Sequence, residues 1–200
     1  MTWLILLAVT GGMLLGRLVL APPQIAFFSQ IGPLALSALL FSIGFDLARD
    51  RSVWHRLRNL GWRVLLVPAT GAVGSLLGAL VGGMLVSLGP WEALSVGAGF
   101  GWYSLSGVLL SNLGFTALGA IAFLSNVLRE LLAVLLMPWL SQQVHPVAGI
   151  APGGATTMDT TLPILARYGT HESTMIALLN GATLSLLVPF LVPFFARLID

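Results

Sequence analysis

The 200-residue sequence contains no cysteine and no lysine; all nine of its basic residues are arginine. Without cysteine there is no disulfide framework, no thiol nucleophile and no thiolate metal site. Charge is scarce too. Only 8% of residues are charged, against roughly 25% in an ordinary globular protein. So few charged groups cannot cover a soluble globule, and a soluble enzyme, a secreted disulfide scaffold and a disordered chain are excluded together. What is abundant is apolar surface: 57% of residues are hydrophobic. The composition is that of a polytopic membrane protein. The formal charge of +2 reflects arginines clustered beside apolar segments and does not point to nucleic acid.

A helix needs about 20 apolar residues to cross the hydrocarbon core. Five stretches satisfy this: 2–21, 27–47, 60–88, 116–140 and 174–195. The first lacks a basic start and is followed by Pro22–Pro23, so it reads as a retained helix rather than a cleaved leader. Two further stretches, 93–113 and 147–165, are apolar but rich in Gly, Ser and Thr. The expected fold is therefore all-α: five full transmembrane helices and two Gly-rich segments that are broken or re-entrant. We read 1–200 as a single integral membrane unit, with a three-helix part over 1–90 and a site-bearing part over 91–200. Arg49, Arg51, Arg56, Arg58 and Arg63 crowd the connection between the second and third spans. Cytoplasmic loops collect such residues, which places the N-terminus inside and the C-terminus outside. The same arginines also suit contact with anionic membrane lipid.

The two Gly-rich stretches are the unusual feature. The first contains Gly97, Gly99, Gly101 and Gly107 around Trp102, Tyr103 and Ser106; the second runs through Pro152, Gly153, Gly154, Thr156, Thr157, Asp159 and Pro163. Each glycine weakens a helix by about 1 kcal/mol relative to alanine. Broken backbone in a bilayer is tolerated only where protein or a watery cavity shields it. A pair of Gly/Pro-interrupted segments is the mark of a transport site built from discontinuous helices. Close packing of small residues is the alternative, and it suits Gly97–Gly101 better than a string that contains an acid.

The span over 116–140 carries Asn126, Arg129 and Glu130 near its middle. A charged group there costs about 2.5–3.5 kcal/mol and needs a reason. Asn126 and Glu130 share a helix face, whereas consecutive Arg129 and Glu130 diverge by about 100°. Asp159 is the expected partner of Arg129, leaving Glu130 to exchange a proton or accept an amine. A purely structural Arg129–Glu130–Asp159 cluster is the alternative. Asp46 lies near a span end, lining a vestibule or pairing with Arg49 or Arg63. Asn180 is expected to bond between helices. His55, His145 and His171 do not cluster, so no metal site is expected, and no nucleophile or cofactor motif is present.

The strings from Gly99 to Gly107, from Asn126 to Leu131 and from Gly154 to Leu165, in this order and spacing, resemble the lysine exporter LysO family. The resemblance implies a bacterial inner-membrane exporter of lysine and of the analogue thialysine, with Glu130 at the position of a functional intramembrane acid. It also implies that longer members carry an N-terminal block of roughly three helices, with a second functional acid, that has no counterpart here. A separate small membrane protein would supply that block; a homodimer is the other assembly considered. The combined expectation is a non-enzymatic, proton-coupled lysine exporter without cofactor or nucleic-acid partner. Its binding residues would be Glu130, Asp159, Asn126, Arg129, Trp102, Tyr103, Ser106 and Thr156. A non-transporting membrane subunit and an exporter of another cationic amine are the alternatives.

Overall fold

A computed structural model describes residues 61–199 together with Gly11, Leu14, Leu15, Ala38, Phe41, Ser42 and Phe45. Apart from those seven residues the expected spans at 2–21 and 27–47 lie outside the described residues, as do Asp46, Arg49 and the side chain of Arg63. Among the described residues all regular structure is helical. After a 3-10 turn at Gly61–Leu65 come α1 (Leu66–Leu85), α2 (Pro90–Gly97), α3 (Tyr103–Asn112) and α4 (Thr116–Gln143). Two 3-10 turns, Ala148–Ile150 and Gly154–Met158, then lead to α5 (Leu162–Tyr168) and α6 (His171–Ala196).

Helices α1, α4 and α6 are long and apolar enough to cross a membrane. They correspond to three of the five expected spans, over 60–88, 116–140 and 174–195. Large apolar side chains such as Leu77, Val81, Leu128, Leu132 and Phe190 stand exposed along them. A soluble protein would have to cover that surface; in a bilayer it meets lipid. Both Gly-rich stretches are interrupted, as expected. The first is α2, a break at 98–102, and α3; the second is two 3-10 turns followed by α5.

Local chemistry explains where these pieces start. Pro90 opens α2, and the Glu92 carboxylate accepts the Gly89 N–H at 2.7 Å, so the first turn is capped from within. Thr170 caps α6: its hydroxyl accepts from the Ser173 N–H at 3.1 Å, and the Ser173 hydroxyl accepts the Thr170 N–H at 2.8 Å.

The packing shows that both interrupted segments double back. The second half of α1 and the first half of α4 wall a common groove, which Gly82, Val86 and Ile121 line together, and Ser75 is bonded to Arg129. The two helices are therefore antiparallel, and α4 begins at the end of the bundle where α1 finishes. Leu88, Leu110, Leu118, Val192 and Ala196 share one core, and Trp91 stacks on Phe195 with centroids 6.4 Å apart. The start of α2, the end of α3 and the end of α6 thus lie at that same end. A second core holds Val64, Met137, Ile150, Leu165 and Ile176. It gathers the start of α1, the end of α4, the second interrupted segment and the start of α6 at the opposite end. Each interrupted segment consequently enters and leaves from one end, and the two come from opposite ends. They meet in the middle, where the Ala155 N–H donates to the Phe100 carbonyl at 2.8 Å.

Candidate functional site

The meeting point is built by backbone that only glycine accommodates easily. Gly101 and Gly154 have φ of +102° and +61°, in the left-handed region. A Cβ on Gly154 would fall on the Phe100 carbonyl oxygen, and one on Gly101 would lie 3.1 Å from the Gly153 carbonyl oxygen. Phe100 itself is left-handed at φ 47° and fully buried, a costly conformation held by its surroundings.

Each break is secured by an asparagine from a full-length helix. Asn126 of α4 is buried and accepts the Gly101 N–H at 2.8 Å through Oδ1. Its Nδ2 donates to the Ala122 carbonyl at 2.8 Å and to Ser106 Oγ at 3.4 Å. Ser106 in turn donates to the Trp102 carbonyl at 2.9 Å. On the other side Asn180 of α6 donates to the Gly154 carbonyl and to Thr157 Oγ1, both at 3.0 Å. The Thr157 hydroxyl donates to the Gly154 and Ala177 carbonyls, both at 2.8 Å. Several backbone groups at the broken helices, the Gly101 N–H and the Gly154 carbonyl among them, are thereby satisfied inside protein, as a bilayer demands of groups away from water.

Beside the meeting point is a cavity of about 160 Å³. Trp102, Tyr103 and Ser104 from the start of α3 line it, with Glu130 of α4, Thr156, Met158, Asp159 and Thr160 from the second segment, and Ser185 of α6. It needs only about 15 Å³ to hold one water, so it has room for several waters or a small solute. The Asp159 Oδ1 accepts the Thr160 N–H at 2.6 Å. Tyr103 packs edge-on against Phe123 at 5.4 Å. Thr156 donates to the Gly153 carbonyl at 2.9 Å, which shapes the wall as well as lining it.

The eight sequence-predicted residues thus divide. Glu130, Asp159, Trp102, Tyr103 and Thr156 come together around the cavity. Asn126 and Ser106 lie behind it, holding the first break. Arg129 is not in the cavity wall, and its expected pairing with Asp159 is replaced by other contacts. Its Nε–H donates to the Pro152 carbonyl at 2.9 Å, and a terminal N–H donates to Ser75 Oγ at 2.8 Å. The 100° between consecutive helical positions sends Glu130 into the cavity and Arg129 to a different face, where the Pro152 carbonyl and the Ser75 hydroxyl receive it. Asn180 does bond across the bundle, but to a break rather than to a regular helix.

Sequence reasoning did not single out Ser75, Ser104, Thr160 or Ser185. Ser104 and Thr160 stand inside the strings already noted, so their neighbours carried a signal. Ser185 lies five positions past Asn180 on α6. Ser75 is a small residue on an apolar helix, and nothing in its local pattern marks it.

A family model described as lysine exporter LysO matches residues 6–196. The lysine exporter LysO of Escherichia coli K12 is 38% identical over 161 residues, covering 80% of this chain and 53% of that protein. A Haemophilus influenzae Rd protein, provisionally described as a lysine exporter, is 35% identical over 161 residues, covering 80% of this chain and 82% of its own length. The chain therefore spans about half the length of the first relative and most of the second. No solved structure matches. With the family model matching residues 6–196, the chain belongs to the lysine exporter LysO family, a family of membrane transporters and not of enzymes.

Proposed function

We propose that this chain carries the binding site of an exporter that moves lysine, and analogues such as thialysine, out across the cytoplasmic membrane in exchange for protons. One observation carries the reading: two carboxylates, Glu130 and Asp159, share a cavity at the point where two broken helices meet, and among the described residues no cationic side chain lines it. Such a cavity suits an ammonium group. The site lies where interrupted helices leave polar backbone able to face a solute. The start of α3, which also faces the cavity, carries the positive end of a helix dipole and suits the α-carboxylate of an amino acid. Trp102 and Tyr103 supply apolar surface for a methylene chain, and Thr156 adds a hydroxyl. Glu130 is the group we assign to alternate between proton and amine.

In this reading residues 91–200 hold the site and 1–90 scaffold it. The N-terminus is cytoplasmic and the C-terminus outside. A small companion membrane protein, or a second copy, completes the assembly, in keeping with the partial coverage of the Escherichia coli relative. The test is growth protection against thialysine in cells expressing the chain, with and without a neighbouring small hydrophobic protein. Protection that disappears in Glu130→Gln, with membrane insertion intact, supports the reading. Absence of protection under both conditions refutes it.

A further inference from the structure

Arg129 needs a separate account. It is a cation in the middle of a span, it faces away from the acid-lined cavity, and the oxygens that receive it are a carbonyl and a hydroxyl. Its Ser75 partner passes the contact on: the Ser75 hydroxyl donates to the Gly97 carbonyl at 2.9 Å. Gly97 is the last residue of α2, the negative end of that helix's dipole, and Pro152 immediately precedes the glycine pair of the second break. One guanidinium is therefore tied to both interrupted segments, directly to one and through Ser75 to the other. It also stands at the electronegative end of α2, whereas the start of α3 faces the cavity on the other side. The contact separates two grooves, one opening toward Leu88 and Ala93 and the other toward Val147 and Ala148; Ser75 and Arg129 wall both.

We infer that Arg129 is a positioning residue. With Ser75 as its second arm, it fixes the spacing of the two breaks and so sets the width of the Glu130–Asp159 cavity without touching the solute. The planar fork suits this task because it reaches two acceptors in fixed directions; a lysine ammonium is a single point of attachment. The inference rests on the proposed transport reading only for its substrate.

The test uses the full chain in lipid nanodiscs. The absence of native cysteine lets labels at V108C on α3 and R167C on α5, both exposed positions, report the distance between the segments by spin-label spectroscopy. The parent should give a narrow distribution. Arg129→Gln and the milder Ser75→Ala should broaden it, with Arg129→Lys in between. Binding of lysine and of 1,5-diaminopentane, which has no carboxylate, is measured on the same variants without labels. The loss of one hydrogen bond in Ser75→Ala should weaken both solutes by about fivefold. In transport that loss should fall on KM with maximal flux retained. An unchanged distance distribution in monodisperse Arg129→Gln overturns the inference. So does a loss confined to lysine, which would mean that Arg129 touches the carboxylate. If the parent binds neither solute, the transport reading fails, and the distance measurement still decides the role of Arg129.

Discussion

Gly154 is where a single methyl group should do the most damage. Its φ of +61° costs an L-residue about 1–2 kcal/mol. The added Cβ would also meet the Phe100 carbonyl oxygen and lie 3.0 Å from a terminal nitrogen of Arg129. These are poor neighbours to displace. The Phe100 carbonyl accepts the bond from Ala155, and Arg129 is held through its Nε and one terminal nitrogen. Overpacking of this kind typically costs a further 1–3 kcal/mol, roughly. The expected loss for Gly154→Ala is therefore about 2–5 kcal/mol, a drop in melting temperature of roughly 5–15 °C for a chain of this size. Gly78→Ala is the matched control. That glycine lies within α1, no described residue would stand within 4 Å of its Cβ, and its φ is not left-handed. The change should be neutral or stabilising by up to about 1 kcal/mol. Thermal melting of the purified proteins in mild detergent, with monodispersity checked by size exclusion, compares the two. If Gly154→Ala melts within about one degree of the parent, or Gly78→Ala falls as far as Gly154→Ala, the meeting of the two breaks is not as described.

Glu130→Gln should abolish lysine efflux from preloaded cells while membrane insertion stays at parent level; efflux at the parent rate removes this acid from the mechanism. Asn126→Leu should strand the Gly101 N–H and lower stability by about 1–3 kcal/mol, read as a lower melting temperature. Asn180→Leu should act in the same way on the second break, by loss of its bonds to Gly154 and Thr157. Trp102→Ala should raise the half-saturating lysine concentration while efflux remains measurable, because its ring lines the cavity wall without titrating.

Helices α1, α4 and α6 are legible in the sequence because apolar length alone specifies a span. The interruptions are suggested by glycine at 99, 101, 153 and 154, with Pro152, which weakens a continuous helix without forbidding one, since α1 stays continuous through Gly71, Gly74, Gly78, Gly82 and Gly83. That both segments double back is not legible. It depends on which ends pack together, Leu118 with Val192 in one core and Ile150 with Ile176 in the other, and hydropathy along one chain carries no such information. The divergence of Arg129 and Glu130 follows from helical geometry, and so does the nearness of Asn126 to Glu130. The partner of Arg129 was missed for a physical reason. Sequence reasoning pairs a buried cation with a carboxylate, but breaks expose carbonyl oxygens that do the same work, and Ser75 is reachable only once α1 has folded against α4.

The bond from Ala155 to Phe100 has a consequence for biogenesis. The chain is synthesised from its N-terminus, so the first break enters the membrane long before residues 152–155 exist. Until they arrive, the Phe100 carbonyl lacks its donor and the Arg129 side chain one of its acceptors, at several kcal/mol per unmet group in lipid. A truncation ending after α4 leaves those groups permanently unmet. The contact between the two breaks is thus completed only when the last quarter of the chain begins to be delivered.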